Sequence, residues 1–73
     1  MRPPKMRQEE DGAIVIETFA GRAEAFRLAA DLVDALERVE AYVDVDDAGE
    51  VRVECAVDVR HVVREVIRCR GRR

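Results

Sequence analysis

The residue types that most often bind metals are few in this chain. Cys55, His61 and Cys69 are its only cysteine and histidine residues, and they are separated by six and eight positions. Zinc sites need about four ligands, which commonly occur in close Cys-x-x-Cys or His-x-x-x-His pairs. The spacing therefore favours small buried or half-buried thiols, and a metal or ligand carrier is the weakest of the functional alternatives.

A run of carboxylates near one turn is a second place where chemistry could occur. Asp44, Asp46, Asp47 and Glu50 are close enough in sequence to surround a divalent cation. They lack the alternating oxygen ligands and the closing bidentate glutamate of an EF-hand loop. An ordinary solvated acidic turn is the simpler interpretation, so we predict no metal site and no cofactor.

Arginines recur at helical spacing near the end of the chain and predict a positively charged surface. Arg60, Arg64 and Arg68 are four residues apart, which places them along one face of a helix. Arginine clusters are typical of proteins that contact phosphate backbones, whereas a solvated face with cations near the helix C-terminus is the alternative. The hypothetical nucleic-acid contacts are Arg60, Arg64, Arg68, Arg70, Arg72 and Arg73.

The composition argues against an enzyme. The chain has no serine or asparagine, one threonine and one histidine, so the usual pairs of nucleophile and base are missing. The many charges and the lack of asparagine are typical of heat-adapted proteins, although a GC-rich genome would produce the same bias. We therefore predict a chain without catalytic residues.

The length and the charge pattern predict one small cytosolic domain with basic ends. Seventy-three residues with a net charge of −3 include no apolar run of about 20 residues, no signal peptide and only two cysteines. Residues 9–58 hold 15 acids and four arginines, whereas the segments on either side are basic. A chain this short often needs an oligomer for stability.

Hydrophobic periodicity predicts a two-layer α+β sandwich with the order β-α-β-β-α. We expect a flexible arm over 1–12, a single domain over 13–70 and a basic tail over 71–73. The domain would contain strands over 13–19, 41–46 and 50–57 and helices over 22–39 and 59–69. The three strands would form an antiparallel sheet with both helices on one face, and Asp58 would cap the last helix.

The first helix has more apolar surface than a small sheet can cover. Its apolar arc spans about 140°, whereas a helix lying on a sheet needs a stripe of about 100°. The surplus around Leu28, Leu32 and Val39 predicts a surface that meets either the second helix or a partner protein. The residues predicted to form it are Leu28, Leu32, Val39, Val62 and Val66.

The element order and several positions resemble the small dimerising subunit of the KEOPS complex, the CTAG-type family, over residues 13–69. KEOPS makes threonylcarbamoyladenosine in tRNA. The similar positions are Ile14-x-Ile16-x-x-Phe19, Gly21, Ala25 and the Ala56-x-Asp58 step into the last helix. The Leu-Arg pair that commonly follows that step in the family is Val62-Val63 here.

This resemblance implies a non-catalytic scaffold subunit. Members form homodimers with their sheets joined edge to edge, and their helices dock a larger subunit with an ATPase fold. The arginine-rich end of this chain would then be free to contact tRNA, which is our own hypothesis and not a family motif. A small nucleic-acid-binding protein with basic ends is the main alternative.

Overall fold

The computed structural model describes residues 4–70 and confirms the α+β class. The elements within this range are β1 (Lys5–Gln8), β2 (Ile14–Glu17), α1 (Arg22–Ala35), β3 (Ala41–Val45), β4 (Glu50–Cys55) and α2 (Arg60–Arg70). The sheet is antiparallel and has the order β1-β2-β4-β3. It therefore contains one strand more than the three that the sequence predicted.

The additional strand, β1, forms in the segment predicted to be a flexible arm. Met6 is opposite Ile16 and Arg7 is opposite Val15, and the Met6 side chain packs against the core. The Glu9 N–H donates a 2.8 Å hydrogen bond to the Ala13 carbonyl and closes the β1–β2 hairpin. The prediction of a flexible arm over 1–12 is therefore wrong for β1. Residues 1–3 and the predicted tail, 71–73, lie outside the described residues.

The core lies on the helical side of the sheet, as the alternation of the strands requires. Side chains of β2 and β4 that point to this side are buried together with one face of α1, with Val59 and with Val63 of α2. The buried core residues are Ile14, Ile16, Ala25, Leu28, Leu32, Leu36, Val51, Val53, Val59 and Val63. α1 packs over β3 and β4 and also contacts α2, so the two helices lie side by side on one face.

The β3–β4 connection is a tight turn built by an aspartate and a glycine. The Gly49 N–H donates to the Asp46 carbonyl at 3.1 Å, and the Glu50 N–H donates to the Asp46 carboxylate at 2.8 Å. Gly49 has a φ of +82°, which favours glycine over residues with a side chain. This local chemistry fixes the register of the two strands.

Candidate functional site

Two of the predicted partner-binding residues belong to the core instead. Leu28 is 1% exposed and Leu32 is 0% exposed, so neither can contact a partner. They are buried because α1 packs against both the sheet and α2. Their assignment to a docking surface is therefore wrong.

The exposed apolar residues of α1 lie elsewhere, at Phe26 and Val33, which are 53% and 56% exposed. At 100° per residue these two side chains lie within about 20° of each other, opposite Asp31 and Ala35 on the helix. Asp31 binds Arg70 of α2, so the side carrying Phe26 and Val33 faces away from α2. We call Phe26 and Val33 the α1 flank.

Val62 and Val66, the predicted partner contacts on α2, line a groove between the two helices. The groove has a volume of about 430 Å³, and Ala35 lines its α1 side. Val62 and Val66 are half-buried and also pack against the core. Carboxylates from both helices stand around these apolar side chains, among them Asp34 and Glu65. The rim also includes Arg70 and His61, so the groove combines an apolar interior with a charged rim.

Val39 does not join that groove. It is 37% exposed and lies after the end of α1, beside Val57, which is 55% exposed. The two valines line a small depression of about 200 Å³ with Cys55 and Ala56. The structure thus separates Val39 from Val62 and Val66, with which the sequence grouped it.

The arginines of α2 are largely paired with carboxylates. Arg60 binds Asp58 with a nitrogen–oxygen distance of 2.8 Å, and Arg68 binds Glu65. Arg70 is 19% exposed in its side chain and binds Glu24 and Asp31 of α1. Arg70 therefore joins the two helices and is not part of an open basic surface.

Arg64 differs from the other arginines of α2. It is exposed and makes no salt bridge with another residue between 4 and 70. Arg72 and Arg73 lie outside the described residues. The basic track predicted from the sequence thus retains one unpaired cation within the part of the chain that the structure describes.

Asp58 caps α2, as predicted. Its carboxylate accepts a 3.0 Å hydrogen bond from the Arg60 N–H and also binds the Arg60 guanidinium. The hydrogen bonds from the Arg60 side chain, followed by that from its backbone, lower the pKa of Asp58 to about 2. The residue that caps the start of α2 is therefore an aspartate whose carboxylate stays ionised well into the acidic range.

The outer face of the sheet carries no helix, and two arginines cover it. Arg7 binds Glu9, Glu17 and Glu50, and the hydrogen bond that it donates to the Glu50 carboxylate is the main cause of its raised pKa. Arg52 binds Asp11 and Glu54. The arginine stems cover the apolar surface of the central strands in place of a second helical layer.

Val15, on the outer face of the sheet, is almost completely shielded from solvent by these arginines. It lies between Arg7 on β1 and Arg52 on β4 and is only 4% exposed, although it points away from the helices. Tyr42 on β3 stands beyond the cover and is 77% exposed. It is thus the one aromatic side chain on the outer face of the described sheet.

The sheet has two free edges, β1 and β3. At the β3 edge, the direction of the backbone groups follows from the hairpin, where the Asp46 N–H donates to the Glu50 carbonyl at 3.0 Å and so points toward β4. In an antiparallel pair this direction alternates along the strand, so the N–H groups of Ala41, Val43 and Val45 point away from β4. The Val45 N–H is bound by the Asp44 carboxylate at 3.0 Å. Backbone groups of Ala41 and Val43 therefore remain available along the β3 edge.

The candidate metal ligands do not come together. Cys55 is half-buried on β4 and Cys69 is exposed on α2, and His61 is exposed at the start of α2. Within residues 4–70, no three histidine, cysteine, aspartate or glutamate side chains are grouped closely enough to hold a metal ion. In the acidic turn, the Asp46 carboxylate is occupied by the Glu50 N–H.

Comparisons with known proteins assign no relatives. No family model, no curated protein and no solved structure matches this chain. None of the helices in the described range has the length and the apolar character to cross a membrane. The function must therefore be argued from the surfaces of the chain itself.

Proposed function

We propose that this chain is a non-catalytic dimerisation and scaffold subunit of a KEOPS-like complex, which modifies tRNA with threonylcarbamoyladenosine. In this proposal two copies pair through sheet edges, and a larger subunit with an ATPase fold docks on the helices. The observation that carries the docking is the α1–α2 groove of about 430 Å³ with Val62 and Val66 inside it. The sequence resemblance supports the choice of complex.

The groove fits a protein partner better than a small substrate. Its walls are two helices, its interior is apolar and its rim is charged, which is the arrangement that accepts an amphipathic helix. An amphipathic partner helix would place apolar residues against Val62 and Val66 and a basic residue near Asp34. Such docking needs no catalytic group from this chain.

Substitution in the groove tests the docking. Ala35→Arg would fill the groove from the exposed side of α1, whereas Ala30→Arg puts the same side chain on α1 outside the groove. We expect Ala35→Arg to weaken binding of the purified ATPase-fold subunit by about tenfold or more, and Ala30→Arg to leave it unchanged. Equal binding by both variants, or no binding by the unmodified chain, would refute the docking.

The homodimer has a separate test. Size-exclusion chromatography with light scattering should give twice the mass of one chain. A monomer at high micromolar concentration would refute dimerisation.

Nucleic-acid binding is the second candidate, favoured by the exposed and unpaired Arg64. Nucleic-acid binding predicts that the affinity for RNA falls steeply as the salt concentration rises. It also predicts that Arg64→Gln lowers this affinity at a fixed salt concentration. The three other arginines of the described part of α2 are paired with carboxylates, which weakens this candidate. Salt-independent or undetectable RNA binding would refute it.

A further inference from the structure

The β3 edge has a backbone ready for another strand. Within residues 4–70, the outward N–H and C=O groups of Ala41 and Val43 have no strand beside them, because β3 pairs only with β4. A strand added here would form main-chain hydrogen bonds with both residues, as in β-augmentation. Natural sheets usually protect such an edge with lysine, proline or a bulge, and β3 contains none of these.

The helical side of this edge is incompletely covered. Ala41, Val43 and Val45 point toward the helices but are only half-buried, whereas Val51 and Val53, which pair with Val45 and Val43 on β4, are buried. The α1 flank, Phe26 and Val33, faces away from α2 and therefore lies on the side of β3. An incoming strand would place alternate apolar side chains beneath this flank.

The outer side of the edge is acidic. Glu40, Asp44 and Asp46 alternate with the residues that face the helices, so they share the outer face with Tyr42. Neither β3 nor its turn contributes a basic residue. The alternate side chains of an incoming strand would therefore meet three carboxylates and the exposed ring of Tyr42, which suits lysine or arginine.

A second copy of β3 does not fit this edge. Twofold pairing centred on Val43 sets Glu40 opposite Asp46 twice. Pairing centred on Tyr42 sets Glu40 opposite Asp44 twice, and pairing centred on Asp44 sets that residue opposite itself. Each of these three registers therefore places carboxylates directly opposite one another, which is destabilising. The acidic face selects against self-pairing.

We propose that the β3 edge binds an extended segment of a partner protein in which apolar and basic residues alternate. The apolar residues pack between Val43 and the α1 flank, and the basic residues contact Asp44 and Tyr42 on the outer face. This surface is separate from the α1–α2 groove, so the proposal goes beyond the scaffold function. If the β3 edge binds a partner segment, the β1 edge is the one that remains for pairing in the homodimer.

A labelled peptide of alternating valine and lysine tests the proposal with the full chain. Fluorescence anisotropy should show saturable binding that weakens with added salt. A peptide in which glutamate replaces lysine should not bind. Absence of saturable binding by the lysine peptide, or equal binding of both peptides, would overturn the proposal.

Three substitutions connect binding to the edge. Val43→Pro removes the outward N–H and is compatible with an edge strand, so it should weaken binding by about tenfold or more. Val33→Ser and Asp44→Asn should each weaken it severalfold, because one removes apolar contact and the other removes charge. The asparagine can still accept the Val45 N–H. Glu10→Gln, which removes an exposed carboxylate from the β1–β2 hairpin, is the matched control.

Circular dichroism will show whether Val43→Pro folds. If it does not fold, the Val33→Ser and Asp44→Asn variants still test the proposal. Unchanged binding by a folded Val43→Pro variant, or by both Val33→Ser and Asp44→Asn, would overturn the proposal. A dimer that Val43→Pro converts to a monomer would also overturn it, because β3 would then be the self-association edge.

Discussion

Leu32 and Val33 are neighbours in sequence, but the structure assigns them opposite roles. Leu32 is 0% exposed in the core with Ile16, Val51 and Val63, and Val33 is 56% exposed on the α1 flank. We predict that Leu32→Ala strongly destabilises the fold and that Val33→Ala does not. The pair therefore separates core packing from partner binding at adjacent positions.

The size of the effect follows from burial. Leu32→Ala removes three buried carbons, which is about 2.4 kcal/mol at ~0.8 kcal/mol for each. The remaining cavity raises the loss to about 3–4 kcal/mol. A chain of 73 residues has a total stability of about 4–11 kcal/mol, so a large share is lost. Val33→Ala removes only exposed carbons, and the better helix propensity of alanine limits any change to about 0.5 kcal/mol.

Urea unfolding followed by circular dichroism measures both variants. The urea midpoint should fall for Leu32→Ala with little change in slope, and Tm should fall by roughly 12–32 °C at about 4–8 °C per kcal/mol. A decrease of less than about 1 kcal/mol in the free energy of unfolding of Leu32→Ala would contradict the core position of Leu32. A larger decrease for Val33→Ala than for Leu32→Ala would contradict it equally.

Three further predictions concern the strand ends and caps. Asp58→Ala should lower Tm at neutral pH by removing the α2 cap, and Asp34→Ala should not. The contribution of Asp58 is fully present above its unfolded pKa of 3.8 and is lost as pH falls through the folded pKa of about 2, so the difference from the unmodified chain should shrink across this range and vanish only below it. Gly49→Ala should cost about 1–2 kcal/mol because its φ is +82°. In β1, amide exchange should be slow at Arg7, whose N–H points to β2, and fast at Gln8.

Each of these predictions has a contradicting result. A cap effect of Asp58 that is as large at pH 2 as at neutral pH would show that its stabilisation does not depend on the ionised carboxylate. Full stability of Gly49→Ala would show that the turn adopts another conformation. Uniformly fast exchange in β1 would restore the flexible arm that the sequence predicted.

The sequence predicted the elements with strong periodicity and missed the element without it. Val51 and Val53 alternate with Arg52, and the spacing changes after Asp58, so the junction of β4 and α2 was readable from local chemistry. β1 has only Met6 as an apolar residue. It becomes a strand because β2 offers an edge, which is a tertiary effect that local propensity does not contain.

The partner surface was harder to predict than the fold. The apolar arc of α1 included Leu28 and Leu32 as well as Phe26 and Val33, and its width indicated that some of them would be exposed. Which ones depends on where α2 lies, and that is set by packing between distant segments. The pairing of Arg70 with Asp31 could not be read from the spacing of the arginines for the same reason.

The position of β1 also determines where this chain can be shortened safely. A protein that starts at Ala13 would expose the edge of β2, whose Ile14, Val15 and Ile16 are consecutive, uncharged and rich in β-propensity. It would also lose Arg7 from above Val15. Such an edge favours intermolecular β-aggregation, so the few polar residues before the β2 strand act as a built-in protection against it.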